Sequence, residues 1–547
     1  MHERSIFQLK FQRNGLALPS RLPPEVLGTI FGFAVATQNG GGRPSSWFNF
    51  SYVCRLWRNV ALAVPSIWCS IPLHCQQWAT AMLERSKSAD LILDFNFAAV
   101  SSTSPRGQFM KNVLENHTSR IRELSLRGLS SSTLSTLLHD IRPSSFRLRS
   151  LKLVCGYNHA NPSFPISIMA NSEGLLDLDV EKCGIAWFSM PLTGLTSLKM
   201  ASNPTRPLWS EFMEALGGMP SLETLEIRDS LPLAGELCRR TSNPIKLTKL
   251  RRLDLDSTTD INEVLNVLSY IVVPQVASIK IRGRSTPHNT SLSLISDSAS
   301  SLSRFMSEMI SEDNHPVFYQ ELDAISSYSQ LELKAWRSDN KSDRVWRTPD
   351  LEISISYLSH SSEKVLQEFI KRLPLSKLKS LGLKADACNE TTLLECFGNL
   401  QQLGSVTLHG CVTRSFLQML IVKKGKGRDR KSYYKVTCPA LRSLKIMRAT
   451  LSPDHEDGFS FEELEDCLME RCHRNAELRK LILSGCVDLF EEDVDLLREV
   501  VVDVDWDQWE EEYKPEVSDE DDEDMYSSDY FDDDYFDDGY DDHYFPF

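Results

Sequence analysis

With 547 residues, 41% hydrophobic and 25% charged, the chain has the make-up of folded protein with an ordinary core, and its length exceeds what one core supports, so it must divide into domains or stack as a repeat array. No run approaches the roughly 18 apolar residues that a membrane-spanning helix requires, and the opening residues lack the apolar centre of a secretory leader, so neither membrane anchorage nor export is expected. The net charge of −15 is local: residues 503–547 hold twenty-one acids and one base, Lys514, which leaves the remainder net positive by about five. The thirteen cysteines are scattered singly, without a CxxC pair, which suits a reducing compartment and a cytoplasmic or nuclear protein.

Residues 1–15 form an extension, and a small helical module is expected over 16–70. Leu22, Val26, Leu27, Ile30 and Phe31 fall on one helical face behind Pro23 and Pro24, where proline suits a first turn. A glycine-rich spacer at 40–42 interrupts. Phe50, Val53, Cys54, Trp57, Val60 and Ala61 then form a second apolar series at three- and four-residue steps, and a turn at Val64, Pro65 and Ser66 leads to Ile67 and Trp68. So few residues cannot hide that much apolar surface among themselves.

In order, LPPEVLGTIFGF (22–33), VCRLWRNVA (53–61) and PSIW (65–68) resemble the F-box motif, whose usual form is LPxEhhxxIF, then hCRxWxxhA, then a Pro and a Trp close behind, with h apolar. The insertion between Ala36 and Trp47 is longer than in a minimal F-box and extends a loop without removing an apolar anchor. The linker or capping segment 71–118, with LERSKSADLILDFNF at 83–97, is similar to the link found in F-box proteins of mushroom-forming (basidiomycete) fungi. The resemblance implies a substrate receptor of a cullin-RING ubiquitin ligase, in which the F-box docks on a Skp-type adaptor, the adaptor joins the cullin, and distal repeats choose the target protein. Carried over residue by residue, the adaptor face would comprise Leu22, Pro23, Pro24, Glu25, Leu27, Ile30, Phe31, Val53, Cys54, Leu56 and Trp57, aromatic and aliphatic anchors for a groove. Some of these side chains must instead form the module's own core.

From 119 to 500 the dominant signal is self-similarity. The phrase apolar-x-x-apolar-x-apolar recurs as IRELSL (from Ile121), LRSLKL (Leu148), LLDLDV (Leu175), LTSLKM (Leu195), LETLEI (Leu222), LRRLDL (Leu250), VASIKI (Val276), LKSLGL (Leu378), LGSVTL (Leu403), LRSLKI (Leu441) and LRKLIL (Leu478), mostly at steps of 20 to 28 residues. The last two apolar positions share one side of a short strand, so each unit has a buried and an open face, and only stacked neighbours can cover the former. Cys183, Asn203, Cys411 and Cys486 stand three positions after a strand's last apolar residue, as in the cysteine-containing leucine-rich repeats that 121–486 resembles, where they can satisfy backbone groups at the turn. The expected fold is α/β: a small N-terminal helical F-box bundle, an irregular leucine-rich-repeat solenoid on a curved parallel sheet, and a disordered acidic C-terminal tail. The phrase fades over 285–350. Because 102 residues separate Val276 from Leu378, close to four repeat lengths, degenerate repeats with insertions are expected there, with an amphipathic stretch at 302–310 and looser strands at 331–334 and 351–355.

Open-face positions include Lys199, Arg228, Arg252, Lys280, Arg282, Lys384, His409 and Lys445, a basic lean suited to an acidic or phosphorylated protein partner; a merely solvated surface is the plainer reading. The stretch 423–435, KKGKGRDRKSYYK, sets Lys423, Lys424, Lys426, Arg428, Arg430, Lys431 and Lys435 against one acid in a 38-residue gap between units; it reads as an exposed loop, and nucleic-acid binding is not expected. The tail over 501–547 alternates acids with aromatic residues and offers no packing face, which predicts disorder, and opposite charge makes the basic loop or the basic open-face residues its candidate intramolecular contact. Asp503, Asp505 and Asp507 have the opening spacing of a calcium loop, but Gln508 stands where glycine is needed and Lys514 where the closing Glu belongs. Cys467, Cys472 and His473 lack the further ligands that tetrahedral zinc needs. No cofactor is expected, and no P-loop, G-x-S-x-G elbow, HExxH or nucleophile dyad is present. The sequence thus predicts a non-catalytic receptor within a ubiquitin ligase. The competing reading is a repeat scaffold or chaperone-like binder whose first helices only cap the solenoid.

Overall fold

A computed structural model of the chain describes residues 2–36, 49–73, 75–98, 100, 103–139, 147–156, 174–184, 192–233, 244–285, 292–310, 317–337, 347–357, 362–421, 423–426, 432–453, 455 and 458–513. The glycine-rich spacer, the middle of the basic stretch with Arg428, Arg430 and Lys431, and the acidic segment 514–547 lie outside these residues.

The chain begins with helix α1 (His2–Leu16) and a 3-10 turn (Leu18–Arg21), followed by α2 (Pro24–Ala36), α3 (Phe50–Val53), α4 (Arg55–Ala63) and a second 3-10 turn (Pro65–Trp68). Pro24 opens α2, where its missing N–H costs nothing, and Glu25 complements the positive end of the helix. Trp68 is buried, donates its indole N–H to the Ala61 carbonyl at 2.8 Å, and is covered by the Arg85 guanidinium 4.5 Å above its ring. These contacts weld the helices to the first repeat.

Strand β1 (Ser70–Pro72), α5 (Gln76–Arg85), β2 (Leu91–Asn96) and α6 (Pro105–His117) come next. Then follow β3 (Ile121–Leu129), β4 (Ser150–Cys155), β5 (Asp177–Glu181), β6 (Ser197–Ala201), β7 (Thr224–Arg228), a short β8 (Ile245–Lys246), β9 (Arg252–Ser257), a short β10 (Ile271–Val272) and β11 (Ser278–Arg284). The remainder comprises β12 (Glu321–Ser326), β13 (Gln330–Trp336), β14 (Leu351–Ser356), β15 (Ser380–Ala385), β16 (Ser405–His409), the antiparallel pair β17 (Lys423–Lys426) and β18 (Ser432–Lys435), β19 (Ser443–Met447), β20 (Lys480–Ser484) and β21 (Asp503–Trp506). Seventeen strands join one sheet, to which each of the eleven repeated phrases contributes a strand. The reason is the alternation: Leu151, Leu153 and Cys155 of β4 are buried while Lys152 and Val154 stay half-exposed, and the same pattern recurs in β5, β6, β16, β19 and β20. Helices such as Ile261–Leu268, Val412–Leu420 and Phe461–His473 cover the buried face, and one continuous apolar core runs from Leu27 to Val501. The arrangement is a leucine-rich-repeat-like solenoid.

Turn residues act as their spacing predicts. Asn203 accepts the Cys183 N–H on its side-chain oxygen at 3.3 Å, and its own N–H donates to Ser230 Oγ at 3.0 Å. Cys411 Sγ lies 3.2 Å from the Ala385 carbonyl, and Cys183 and Cys486 are buried. Of the trio with metal-like spacing, Cys467 is buried and Cys472 exposed. On the same helix Arg471 is wholly buried, its guanidinium donating to the carbonyls of Thr437 at 2.9 Å and Cys438 at 3.0 Å.

Three features differ from expectation. The sheet starts before residue 119, because β1 and β2, in the segment expected to be a linker, already pair parallel with each other, and β2 pairs parallel with β3. The segment 285–350 is not a set of degenerate repeats. After β11 and the helix Leu292–Ser307, strands β12, β13 and β14 form an antiparallel meander that enters the sheet in reverse, β14 beside β11 and β12 beside β15. Hence β13 runs against an otherwise parallel sheet. The reversal keeps every apolar rung in line, Ile281 beside Ile353 and Ala324 beside Leu383, so the core is continuous across it. Finally, the first part of the expected tail is structured. Val504 and Trp506 of β21 extend the apolar rungs of Leu481 and Leu483, and Lys480 pairs with Asp503 at 2.9 Å.

Candidate functional site

Helix α2 carries two apolar stripes. Leu27, Phe31 and Val35 are buried, with Phe31 stacked on Phe50 at 4.4 Å and tilted against Trp57 at 5.2 Å. Val26, Ile30 and Phe33, a three- and four-residue spacing on another side of the same helix, are exposed, and Leu22, Tyr52 and Val53 add to them. The expected adaptor face therefore divides. Leu27 and Phe31 are core; Cys54, Leu56 and Trp57 are half-buried; Leu22 (37% exposed), Pro23, Pro24, Glu25, Ile30 (45%) and Val53 (57%) lie open. Val26, Phe33 and Tyr52 belong to the open apolar surface but were not among the expected site residues. For Val26 and Phe33 the signal was available in the second stripe of α2, yet a helix with two apolar sides does not say which one the core takes.

The open face of the sheet is a ladder of charge. Through the register, one open rung runs Lys152, Asp179, Lys199, Glu226, Asp254, Lys280, Glu352, Lys334 and Asp323 across nine neighbouring strands. Cross-strand neighbours stand about 4.8 Å apart, and opposite charges pair. Lys199 meets Glu226 at 3.1 Å, Arg252 meets Glu226 at 3.1 Å, and Lys280 meets Glu352 at 2.7 Å. Asp254, almost fully buried, gathers Arg228 at 3.6 Å, Arg252 at 3.9 Å and Arg282 at 3.1 Å, and Arg282 also reaches Asp256 at 3.2 Å. Five of the cations expected to receive an acidic partner are thus already neutralised by carboxylates one strand away. Sequence separation of 26 or more residues between partners such as Arg252 and Glu226 hid this.

Beyond the reversed meander the balance changes. Lys384 of β15 lies directly opposite His409 of β16, Lys445 of β19 opposite Thr407, and Arg448 follows the end of β19 in a left-handed backbone conformation (φ +52°). Among the described residues none of these four makes an ion pair or hydrogen bond through its side chain. Burial, then the positive charges of Lys384, Lys445 and Arg448, hold the His409 imidazole below the ordinary histidine range, with Asp323 opposing them. Arg448 was not anticipated, because it lies just past the repeated phrase.

The stretch 423–435 is a two-stranded hairpin over its described ends, with Lys423 opposite Lys435 and Lys426 opposite Ser432. A polar cleft of about 480 Å³ opens where the meander meets the parallel sheet, lined by Thr258, Arg282, Arg284, Gln330 and Ser354. Among the described residues no cluster of His, Cys, Asp and Glu is placed to hold a metal ion, and no helix is long and apolar enough to cross a membrane.

No protein-family model matches the chain, and no curated protein does. Among solved structures it is similar to a leucine-rich-repeat protein of Leptospira interrogans, at 13% identity and a TM-score of 0.28 over 78% of this chain and 98% of that one. It is also similar to the complex of Rad7 and Elc1 from yeast, at 12% identity and a TM-score of 0.23 over 91% and 92%. Likeness at that level carries no argument about kinship or activity. The repeat assignment rests on the register and burial of the chain's own strands.

Proposed function

We propose that the chain is the target-binding subunit of a Skp-cullin-F-box type ubiquitin ligase, its N-terminal helices holding a Skp-type adaptor and its repeat face holding the protein to be modified. The observation that carries the reading is the open apolar stripe of Val26, Ile30 and Phe33 on α2, with Leu22 exposed just before it, on a helix whose other side is already committed to the core. A helix that only capped the solenoid would bury its apolar side and turn polar residues outward. Instead, grease remains where a partner's groove can take it. In this reading the chain's contribution is to hold a target near the ubiquitin-carrying partner, so that transfer becomes effectively intramolecular.

Deleting residues 1–68 is a poor test, since Val60, Ala61, Ile67 and Trp68 belong to the core of the first repeat. The informative experiment mixes the full chain, and a Val26→Asp/Ile30→Asp variant, with a purified Skp-type adaptor. Stable 1:1 association by the natural chain, lost in the variant with thermal stability kept, supports the receptor. Absence of association by the natural chain supports the scaffold reading, in which the helices serve the solenoid alone.

A further inference from the structure

Among the described residues, the cations Lys384, Lys445 and Arg448, which make no side-chain ion pair or hydrogen bond, and the imidazole of His409 lie on or just past β15, β16 and β19, three consecutive strands of the sheet. The start of the acidic segment runs toward them. After β21 the chain doubles back: the Asp507 carboxylate accepts from Ser484 Oγ at 2.9 Å and from the Gly485 N–H at 2.7 Å, at the end of β20. Farther along, the Asp488 N–H donates to the Glu511 carbonyl at 2.7 Å, and the Tyr513 N–H donates to the Asp488 carboxylate at 2.6 Å. The Tyr513 ring meets His455, in the loop behind β19, edge-on at 5.1 Å. The path therefore leads from the last strand across β20 to β19, ending at a cleft of about 460 Å³ lined by Thr450, His455 and Tyr513. Arg448 stands beside the end of β20, where a Cβ on Gly485 would lie 3.6 Å from Arg448 Cγ. The next strand in this direction is β16, which ends at His409.

The segment beyond Tyr513 has the complementary chemistry. Residues 515–547 hold fifteen carboxylates, nine aromatic rings and no lysine or arginine. Two strand spacings, about 10 Å, separate β19 from β15, whereas 34 residues of chain can span at most roughly 110 Å, so reach does not limit contact. We infer that the acidic aromatic segment 515–547 docks in cis on the cluster formed by Lys384, His409, Lys445 and Arg448. The chain then covers the part of its open face that has no ion-pair partner among the described residues, and an acidic ligand of that face must first displace the segment. This inference holds whether or not the N-terminal helices bind an adaptor.

Two measurements test it. In the first, the full chain is treated with a zero-length carbodiimide cross-linker and digested. Links from Lys384 or Lys445 to carboxylates of 515–547, at a yield independent of protein concentration, are expected; links confined to Lys423, Lys424 or Lys426, or links that rise with concentration as between two copies, overturn the proposal. In the second, a chain ending at Tyr513, which keeps every described element, is titrated with the synthetic peptide 515–547 at low salt. It should bind the peptide at least about tenfold more tightly than the full chain, whose site is occupied at the high effective concentration of a tether. A Lys384→Glu/Lys445→Glu/Arg448→Glu variant of the shortened chain should lose that binding by about tenfold or more, and raising salt should weaken it. Equal binding by full and shortened chains, no binding by the shortened chain, or no effect of the three reversals refutes the inference.

Discussion

Replacing Ile30 by Asp should weaken adaptor binding about 100-fold while leaving the chain folded. Ile30 is 45% exposed on α2, so about half of its transfer free energy, roughly 1 kcal/mol, is still available to a partner that covers it. Aspartate forfeits that gain and obliges the groove to desolvate a carboxylate, a further loss of about 2 kcal/mol or more, comparable with the truncation of an interface hot spot. The sum corresponds to a Kd raised about 100-fold. The fold itself should lose only about 0.5 kcal/mol, as for other exposed positions. Phe31→Ala is the matched control. That ring is 2% exposed and stacked on Phe50 at 4.4 Å, so its removal should cost about 3–5 kcal/mol and loosen α2 outright. Calorimetric titration with a purified Skp-type adaptor, run beside thermal unfolding, separates the two effects. If Ile30→Asp binds like the natural chain, or fails only with a loss of Tm like that of Phe31→Ala, then the open stripe is not a binding face.

Three other consequences can be measured. Asp254→Ala should destabilise the solenoid by about 3 kcal/mol or more in denaturant unfolding, because Arg228, Arg252 and Arg282 lose the carboxylate they share; a change under about 1 kcal/mol would mean that solvent already screens the cluster. For His409, whose folded-state pKa is depressed, the unfolded chain takes up its proton first on acidification. The stabilisation from keeping it neutral is present above the unfolded value near 6.5 and is lost as pH falls through the lower folded value. Lowering pH from about 7 to about 5 should therefore destabilise the natural chain more than His409→Gln; parallel pH profiles would contradict this. Among the cysteines, exposed Cys472 should alkylate in the native protein, whereas buried Cys438 and Cys467, whose thiols burial pushes up to about 11, should react only on unfolding; mass mapping after brief iodoacetamide treatment reads the order.

The sequence by itself determined the eleven strands of the repeated phrase, since the information is local: two apolar residues two positions apart, with a third three residues earlier, specify a strand with one buried side whatever its neighbours are. The same rule was present in Leu91, Leu93 and Phe95, and in Val504 and Trp506, but other features outweighed it, a linker-like setting in the first case and dense negative charge in the second. The tertiary structure alone decided three matters. Strand order in the reversed meander depends on which edge each strand meets, and alternation is identical for parallel and antiparallel neighbours. Which open-face cations remain available depends on carboxylates one strand away in space and some 25 residues away along the chain, as for Lys199 and Glu226. Which stripe of α2 faces outward depends on what Phe50 and the first repeat cover. In each case the deciding partner is remote in sequence, so its electrostatic or packing energy leaves no trace in local periodicity.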